Sequence, residues 1–402
     1  MAEYYYSSDK KKWENGGSEY DIFMNIVTGK IGLDYFIWHT EMCDTNQNHP
    51  NKCTCGAVEE AKRINETDIV PLWHFQKEGV INHYNPNIDF GTQPIRVLNH
   101  MLGLMFANTH SEFHKELFEE IDKGVFRKGV FPVLGEEALR KDNGNFRTPI
   151  LDEQKNVIIN ETFLSYLWGV TYSVYALFLE TIDFPQINNH YGYTEHPIRQ
   201  ENIDKAHLLF NYAKSLIQVF EKWDKEALPN PEMYSANASD RTYIEQSNTF
   251  YTEAVKFILC HEFTHAQRHI EKIGKDLPVS HYLEFEKEAD ENAVILLKIG
   301  MINNLNQIAV EIGIVIAVLS MFFFRKTTTG IKHPNSEDRL TSVLESLQLS
   351  ESHSAWGIAC IGLKLWDDQF GQNLEWETET THKNLYYNIA GQIKDLDQNV
   401  RG

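Results

Sequence analysis

The sequence predicts a predominantly α-helical protein, α+β in class, and three observations carry that prediction. From about Asn160 onward, apolar residues recur at helical spacing in one long segment after another. Strand signals are few and short, Asn156 to Ile159 being the clearest. Finally, 42% of the 402 residues are apolar and 12% aromatic, enough for a packed core and too much for a largely disordered chain.

Taken in order, residues 1–150 are rich in Asn, His and Gly and poor in long periodic patterns. They read as an N-terminal region of loops with a few helices, such as Pro94 to Ala107 and Ser111 to Ile121, ending in a Gly- and Pro-rich connection from Gly129 to Ile150. Asn160 is placed to cap a helix running to about Ile182, apolar on most sides and so expected to be buried, with Pro185 and the HYGY run breaking it. A second helix is predicted from about Asn202 to Lys225, stopped by the segment Leu228-Pro-Asn-Pro-Glu. Asn248 should open a third, through Phe257 and Leu259 to about Lys272, closed by Gly274 and Pro278. A fourth runs from about Tyr282 to Ile299. An apolar helix over 308–324 follows, and Pro334 should start the next, since proline suits the first helical position. Amphipathic stretches over 354–366 and 383–395 complete the chain. This suggests three parts: 1–150, expected to recognise a target or trigger; 151–350, carrying the chemistry; and 351–402, C-terminal helices packed on it.

Charge and cysteine content narrow the function classes. With 57 acidic and 37 basic residues the formal charge is −20, which disfavours nucleic acid and anionic membranes as partners. Lys10-Lys11-Lys12 reads as part of a solvated tail. Five cysteines are too few, and odd in number, for a disulfide scaffold. The start, MAEYYYSSDKKKWENGG, has no apolar signal region, so a cytoplasmic location is expected. Ile308 to Phe324 is nearly all apolar, but it falls short of the roughly 20 residues of a membrane span and contains Glu311. A core helix is the expectation there.

The chemistry concentrates in three segments. His261-Glu262-Phe263-Thr264-His265 lies on the third helix, where positions i and i+4 differ by about 40°, so both imidazoles leave one face. Two neutral imidazoles on one turn can ligate one zinc ion, and Glu262, one position round, can take a proton from a water there. A surface helix with paired histidines is the plain alternative. The apolar run through Ala254, Val255, Ile258 and Leu259 counts against it, because ionisable groups leading out of a core are costly unless used. A third ligand is needed. Position 271 is Glu and position 268 is Arg, which excludes the HExxHxxGxxH arrangement. His269 reads as solvent-facing or as a group behind the ligands. The better candidate is Glu286 in Glu286-Lys287-Glu288-Ala289-Asp290. Asp290, on the same face, can accept a hydrogen bond from the free ring N–H of a ligating histidine. Glu284, Glu288 and Glu291 read as an exposed acidic face. In the third segment, His333-Pro334-Asn335-Ser336-Glu337-Asp338-Arg339, His333 can point into a cleft and donate to an oxyanion, and Arg339 can pair with Asp290 or Glu286.

Lesser signals lie upstream. The thiols among His39, Cys43, His49, Cys53 and Cys55 read first as ordinary reduced cysteines; the group could instead form a structural zinc knot, though its spacing is not that of a standard finger, or Cys53 or Cys55 could cap the main zinc as a thiolate. His110 and His114 form another i, i+4 pair, read as a solvated helix face, and Cys260 reads as core.

Together HExxH, ExxAD and HPxxxxR resemble the gluzincin metallopeptidases of the CAAX prenyl protease kind. A longer stretch, roughly residues 155–345, is similar to the Lit-like phage-exclusion peptidases. It includes the aromatic helix around Tyr166-Leu167-Trp168, Trp223, Pro229-Asn230-Pro231-Glu232-Met233-Tyr234, the three motifs and the apolar helix around Ile314 to Leu319. The resemblance implies a zincin-like core with an additional N-terminal region, and a cytoplasmic zinc endopeptidase. It implies zinc ligands His261 and His265, general base Glu262 and, through the ExxAD match, Glu286 as the third ligand; His333 as oxyanion donor and Asp290 and Arg339 as supporting residues remain the reading of the residues given above. It also implies a protein substrate, elongation factor Tu or another translation factor, and a phage-derived trigger peptide. No match extends over the first 150 residues. The alternatives are a zinc-binding sensor that keeps the fold without turnover, and a membrane-anchored peptidase using 308–324. A span there would put Glu286 and His333 about 30 Å apart, so it excludes a shared site.

Overall fold

In the computed structural model of the chain, the described residues are 93–98, 102, 105–106, 109–125, 148–151, 155, 157–192, 196–231, 233, 238–272, 277–301, 304–377 and 380–401. The histidine and cysteine group around Cys53, the lysine run at Lys10 and most of the connection from Gly129 to Ile150 lie outside them. After a 3-10 turn at Pro94–Leu98, the elements are α1 (Ser111–Asp122), β1 (Ile150–Leu151), β2 (Val157–Ile158), α2 (Glu161–Phe178), α3 (Phe184–Tyr191), α4 (Gln200–Ser215), α5 (Ala238–Thr264), α6 (Val279–Ile299), α7 (Asn304–Leu319), α8 (Ser336–Ser346), α9 (Ser354–Phe370) and α10 (His382–Arg401). The predominantly α prediction holds: among the described residues the only sheet is the two-stranded antiparallel pair β1–β2, with Ile150 opposite Ile158 and Leu151 opposite Val157.

Helix α2 is buried along its whole length, as its all-round apolar character requires. It packs on α4 and α5, and along part of its length on α9. Its single glycine in contact with α4, Gly169, sits where a Cβ would be 2.9 Å from the Cβ of Ala213. Pro185 does not break this helix. A π turn over Leu179–Asp183 precedes it and the chain stays helical to Tyr191. The wider i to i+5 winding spaces the proline ring from the preceding carbonyls, which an α-helix could not do without a kink. The buried Glu180 in that π turn accepts from Arg199 N (2.8 Å), Asn202 Nδ2 (2.7 Å) and Tyr243 Oη (2.6 Å), tying the turn to α4 and α5.

Helix α4 ends at Ser215, about ten residues before the predicted stop. Helix α5 begins at Ala238, well before Asn248. Asn248 is therefore interior to the helix, and its side chain is used across the core: Oδ1 accepts from Trp168 Nε1 at 2.6 Å and Nδ2 reaches Pro231 O at 3.5 Å. Trp223 lies edge-on to Trp168, with ring centroids 5.6 Å apart. The aromatic helix, Trp223 and the Pro-Asn-Pro segment thus meet at one buried knot behind the chemistry-bearing helix.

The apolar segment is helix α7 with a 3-10 extension over Ser320–Phe324. By length and composition both Glu161–His190 and Gln307–Phe324 could cross a membrane, but the most apolar 18 residues of the first are wholly buried among other helices and the second is 78% buried. Helix α7 packs on α5, α8 and α9. Its buried Glu311 accepts from Gln307 Nε2 at 2.9 Å and faces His353 Nε2 at 3.0 Å, which gives the charge a partner inside the core. Contact between α5 and α7 is close at Gly313, where a Cβ would lie 2.5 Å from the Cβ of Glu253 and 2.9 Å from Ala254 N. Both neighbours are rigid, so Gly313→Ala should push α7 away from α5 and cost about 1–3 kcal/mol. A chemical denaturation curve superimposable on wild type would reject that.

Helix α8 begins at Ser336 rather than at Pro334. Residues 325–335 form an irregular crossing from α7, tied by Gly330 N to Asn335 Oδ1 at 3.3 Å. A side chain on Gly330 would collide with the carbonyl of His333. This crossing carries His333 to the open end of the α5–α6 pair.

Candidate active site

Helix α5 supplies His261, Glu262 and His265, and its winding loosens into a π turn over His265–His269. Helix α6 runs beside it, with Ala289 and Ala293 fully buried, small enough to let the two approach. It presents Glu286 and Asp290 on the facing side. Helix α8 adds Arg339, and the preceding loop adds His333.

These residues converge. One ligand atom from each of His261, His265 and Glu286 lies within 4.8 Å of the others. The two Nε2 atoms are 3.0 Å apart. Glu286 Oε2 is 3.6 Å from His261 Nε2, and Oε1 is 3.4 Å from His265 Nε2. Ligands at about 2.0–2.1 Å from a tetrahedral zinc sit roughly 3.3–3.4 Å from one another, so the spacing suits such an ion. The chemistry of the donors suits it as well. Asp290 Oδ1 accepts from His261 Nδ1 at 2.8 Å, so the proton of that ring sits on Nδ1 and Nε2 turns a lone pair inward. A lone pair and a carboxylate facing one another in a buried cluster call for a cation between them.

Asp290 is held in turn. Arg339 Nε donates to its Oδ2 and Nη2 to its Oδ1, both at 2.7 Å, a bidentate pair. Burial alone would raise the Asp290 carboxyl, but the Arg339 charge and the hydrogen bonds from His261 and Arg339 outweigh it and lower it to about 2. Burial opposes ionisation of Glu286 too. The donors and positive charges around it, His333 and Arg339 among them, overcome it and hold this carboxylate far below its usual range. Glu262 is the opposite case: burial dominates and pushes its carboxyl up to about 7. Two carboxyls in one site are thereby driven apart, one ionised, the other near neutrality.

His333 reaches Glu286 Oε2 with Nδ1 at 3.0 Å while its ring remains 61% exposed. Arg339 Nη1 lies 3.6 Å from the same oxygen. His261, Glu262, His265, Glu286, His333 and Arg339 border one cavity of about 810 Å³, together with Ile150 and Leu151 of β1 and an apolar wall that includes Phe163, Met321 and Phe324.

Of the two readings of His269, the group behind the ligands is the one the geometry matches: it is 1% exposed, its Nδ1 is 2.9 Å from His265 Nδ1, and Phe285 stacks on its ring at 4.5 Å. Sequence reasoning missed two features. Glu288, read as part of an exposed acidic face, is half-exposed yet lies 3.0 Å from His269 Nε2 and accepts from Arg268 Nη1 at 2.8 Å. His110 is not on a solvated helix face either; it caps α1, its Nδ1 accepting from Phe113 N at 3.0 Å. The repeat of histidine every fourth residue (261, 265, 269) was the signal for the position of His269. Cys260 is buried core, as expected.

A helical core that gathers two histidines and two differently tuned carboxyls at the end of an apolar cavity belongs with the hydrolases in its chemistry, and comparison with known proteins makes the class specific: peptidases. The family model described as Peptidase U49 matches residues 157–359, just over half of the chain, and the chain belongs to that family. The matched stretch includes every candidate site residue and nearly coincides with the one that carried the sequence resemblance. No curated protein and no solved structure matches the chain.

Proposed function

We propose that this peptidase is a zinc-dependent endopeptidase of the gluzincin kind, acting in phage exclusion by cutting a host protein. The observation that carries the metal reading is the meeting of His261 Nε2, His265 Nε2 and the Glu286 carboxylate within 4.8 Å, beside a glutamate of raised pKa. A zinc ion held by these three residues would supply Lewis acidity for the scissile carbonyl and for a water. The chain's own residues do the rest. Glu262 takes a proton from the attacking water as its oxygen bonds to the carbonyl carbon, then passes that proton to the nitrogen as the C–N bond breaks. His333, exposed at the cavity with Nδ1 against Glu286, donates from Nε2 in its imidazolium form to the oxygen on which negative charge grows. Asp290 fixes the tautomer of His261, and Arg339 fixes Asp290.

The cavity beside Glu262, about 810 Å³ with an apolar wall, suits the binding of a peptide segment. The similarity to Lit-like peptidases supports a translation factor, elongation factor Tu first, as the substrate, with a phage-derived peptide as the trigger. It also supports work in the cytoplasm away from membranes. The 3.0 Å contact between Glu286 and His333 agrees with that, because a membrane-spanning α7 would part them by about 30 Å.

Metal removal tests the zinc reading. Dialysis against a strong chelator should abolish cleavage of a denatured protein substrate, and one equivalent of zinc should restore it. Full hydrolysis by protein shown to be metal-free would overturn the proposal.

A further inference from the structure

The ring of His265 has a partner that the metal site alone does not require. Its Nδ1 faces His269 Nδ1 at 2.9 Å, in the π turn that follows the ligand pair. Two imidazole nitrogens at that distance need one proton between them, and the far side of His269 decides whose it is. His269 Nε2 lies 3.0 Å from Glu288 Oε2. An ionised carboxylate can only accept, so His269 carries its proton on Nε2. Neutral His269 then presents Nδ1 as an acceptor, and the proton of His265 sits on Nδ1. His265 Nε2 is left with a lone pair turned toward Glu286, 3.4 Å away. Glu288 is itself fixed by Arg268 Nη1 at 2.8 Å, while Arg268 Nη2 donates to Asn292 Oδ1 at 3.1 Å and Asn292 Nδ2 to Thr264 Oγ1 at 2.8 Å. The ring of His269 is clamped by Phe285, stacked at 4.5 Å with planes 17° apart.

Resting on the metal reading above, we infer that His269 and Glu288 are positioning residues that hold His265 in its metal-binding tautomer, the counterpart for the second histidine of what Asp290 and Arg339 do for the first. Each histidine thus ends in a carboxylate–arginine pair. Asp290 reaches His261 directly, whereas Glu288 sits at the surface and reaches His265 only through an intervening imidazole. Such outer partners typically contribute about 10–100-fold in metal affinity.

Zinc affinity, measured by competition with a chromogenic chelator on the full chain, tests this with four proteins. Wild type sets the reference, and His265→Ala reports loss of a ligand. His269→Leu should bind zinc about 10–100-fold more weakly. His269→Gln, whose amide can accept from His265 and donate to Glu288, should bind more tightly than His269→Leu. In the cobalt-substituted wild type, two slowly exchanging, paramagnetically shifted imidazole N–H signals are expected, and the one from His265 should vanish in His269→Leu and persist in His269→Gln. Equal affinity and both signals in His269→Leu would overturn the inference while leaving the metal site standing. So would a His269→Gln protein as weak as His269→Leu. Wild type that binds no metal would instead reject the metal reading, and the inference with it.

Discussion

Exchanging Glu262 for Gln should stop peptide hydrolysis while leaving metal bound and the fold unchanged. The two side chains are nearly isosteric, so the turn that carries His261 and His265 is not strained. Only the capacity to accept a proton is lost. Burial, the leading influence, pushes the Glu262 carboxyl up to about 7, so it is matched to proton transfer near neutral pH. Removing a general base costs about 10²–10⁴-fold in rate. The most informative version compares cells expressing wild type with cells expressing the variant, with and without phage challenge, and maps new protein termini. A terminus in one abundant host protein, made by wild type alone and only under challenge, would support the phage-exclusion reading, and its identity would test elongation factor Tu as the target. Undiminished proteolysis by Glu262→Gln would eliminate the mechanism.

Arg339→Leu should cost about 3–5 kcal/mol, because it strands the buried Asp290 carboxylate without its counter-charge. The pair lies between three helices, so its loss loosens α6 and α8 together. The effect has a pH signature. The Asp290 carboxyl is lowered from 3.8 to about 2 in the folded chain, so it favours the native state above pH 3.8 and stops doing so as the pH falls from there toward 2. In Arg339→Leu the burial that opposes ionisation is no longer outweighed by the arginine. Urea unfolding of metal-free wild type and variant should therefore show a wide gap at neutral pH that narrows across the window from 3.8 to about 2. A gap of constant size down to the bottom of that window would show that the pair is not the cause.

What could be read in advance was local. The facing of His261 with His265, and of Glu286 with Asp290, follows from 3.6 residues per turn, and small residues at 289 and 293 allow two such faces to meet. The pairing of Arg339 with Asp290 was anticipated as one of two options, and both contacts occur, at 2.7 Å and 3.6 Å. What could not be read depends on neighbours distant in sequence. Asn248 looks like a cap because asparagine favours helix starts, yet Trp168, eighty residues away, uses its amide inside the core. Pro185 looks like a stop because a regular α-helix cannot hold it, yet a π turn does. His269 reads either as surface or as a group behind the ligands because its own spacing is silent about what covers it; Phe285 covers it. The cavity wall joins β1, α2 and the end of α7, segments that share no pattern.

Cys260, beside the first of the histidines, has a consequence for how the enzyme will present itself at the bench. It is fully buried, and burial pushes its thiol up to about 12, so almost none of it is thiolate at neutral pH. Cys360 is in the same state. Among the described residues, alkylating agents and thiol-directed protease inhibitors therefore find no thiolate next to this cavity, although a cysteine adjoins the histidine in sequence. Inhibitor profiling that treated the Cys-His dipeptide as a catalytic pair would be misled, since the thiol sits inside the helix packing and only the imidazole borders the cavity.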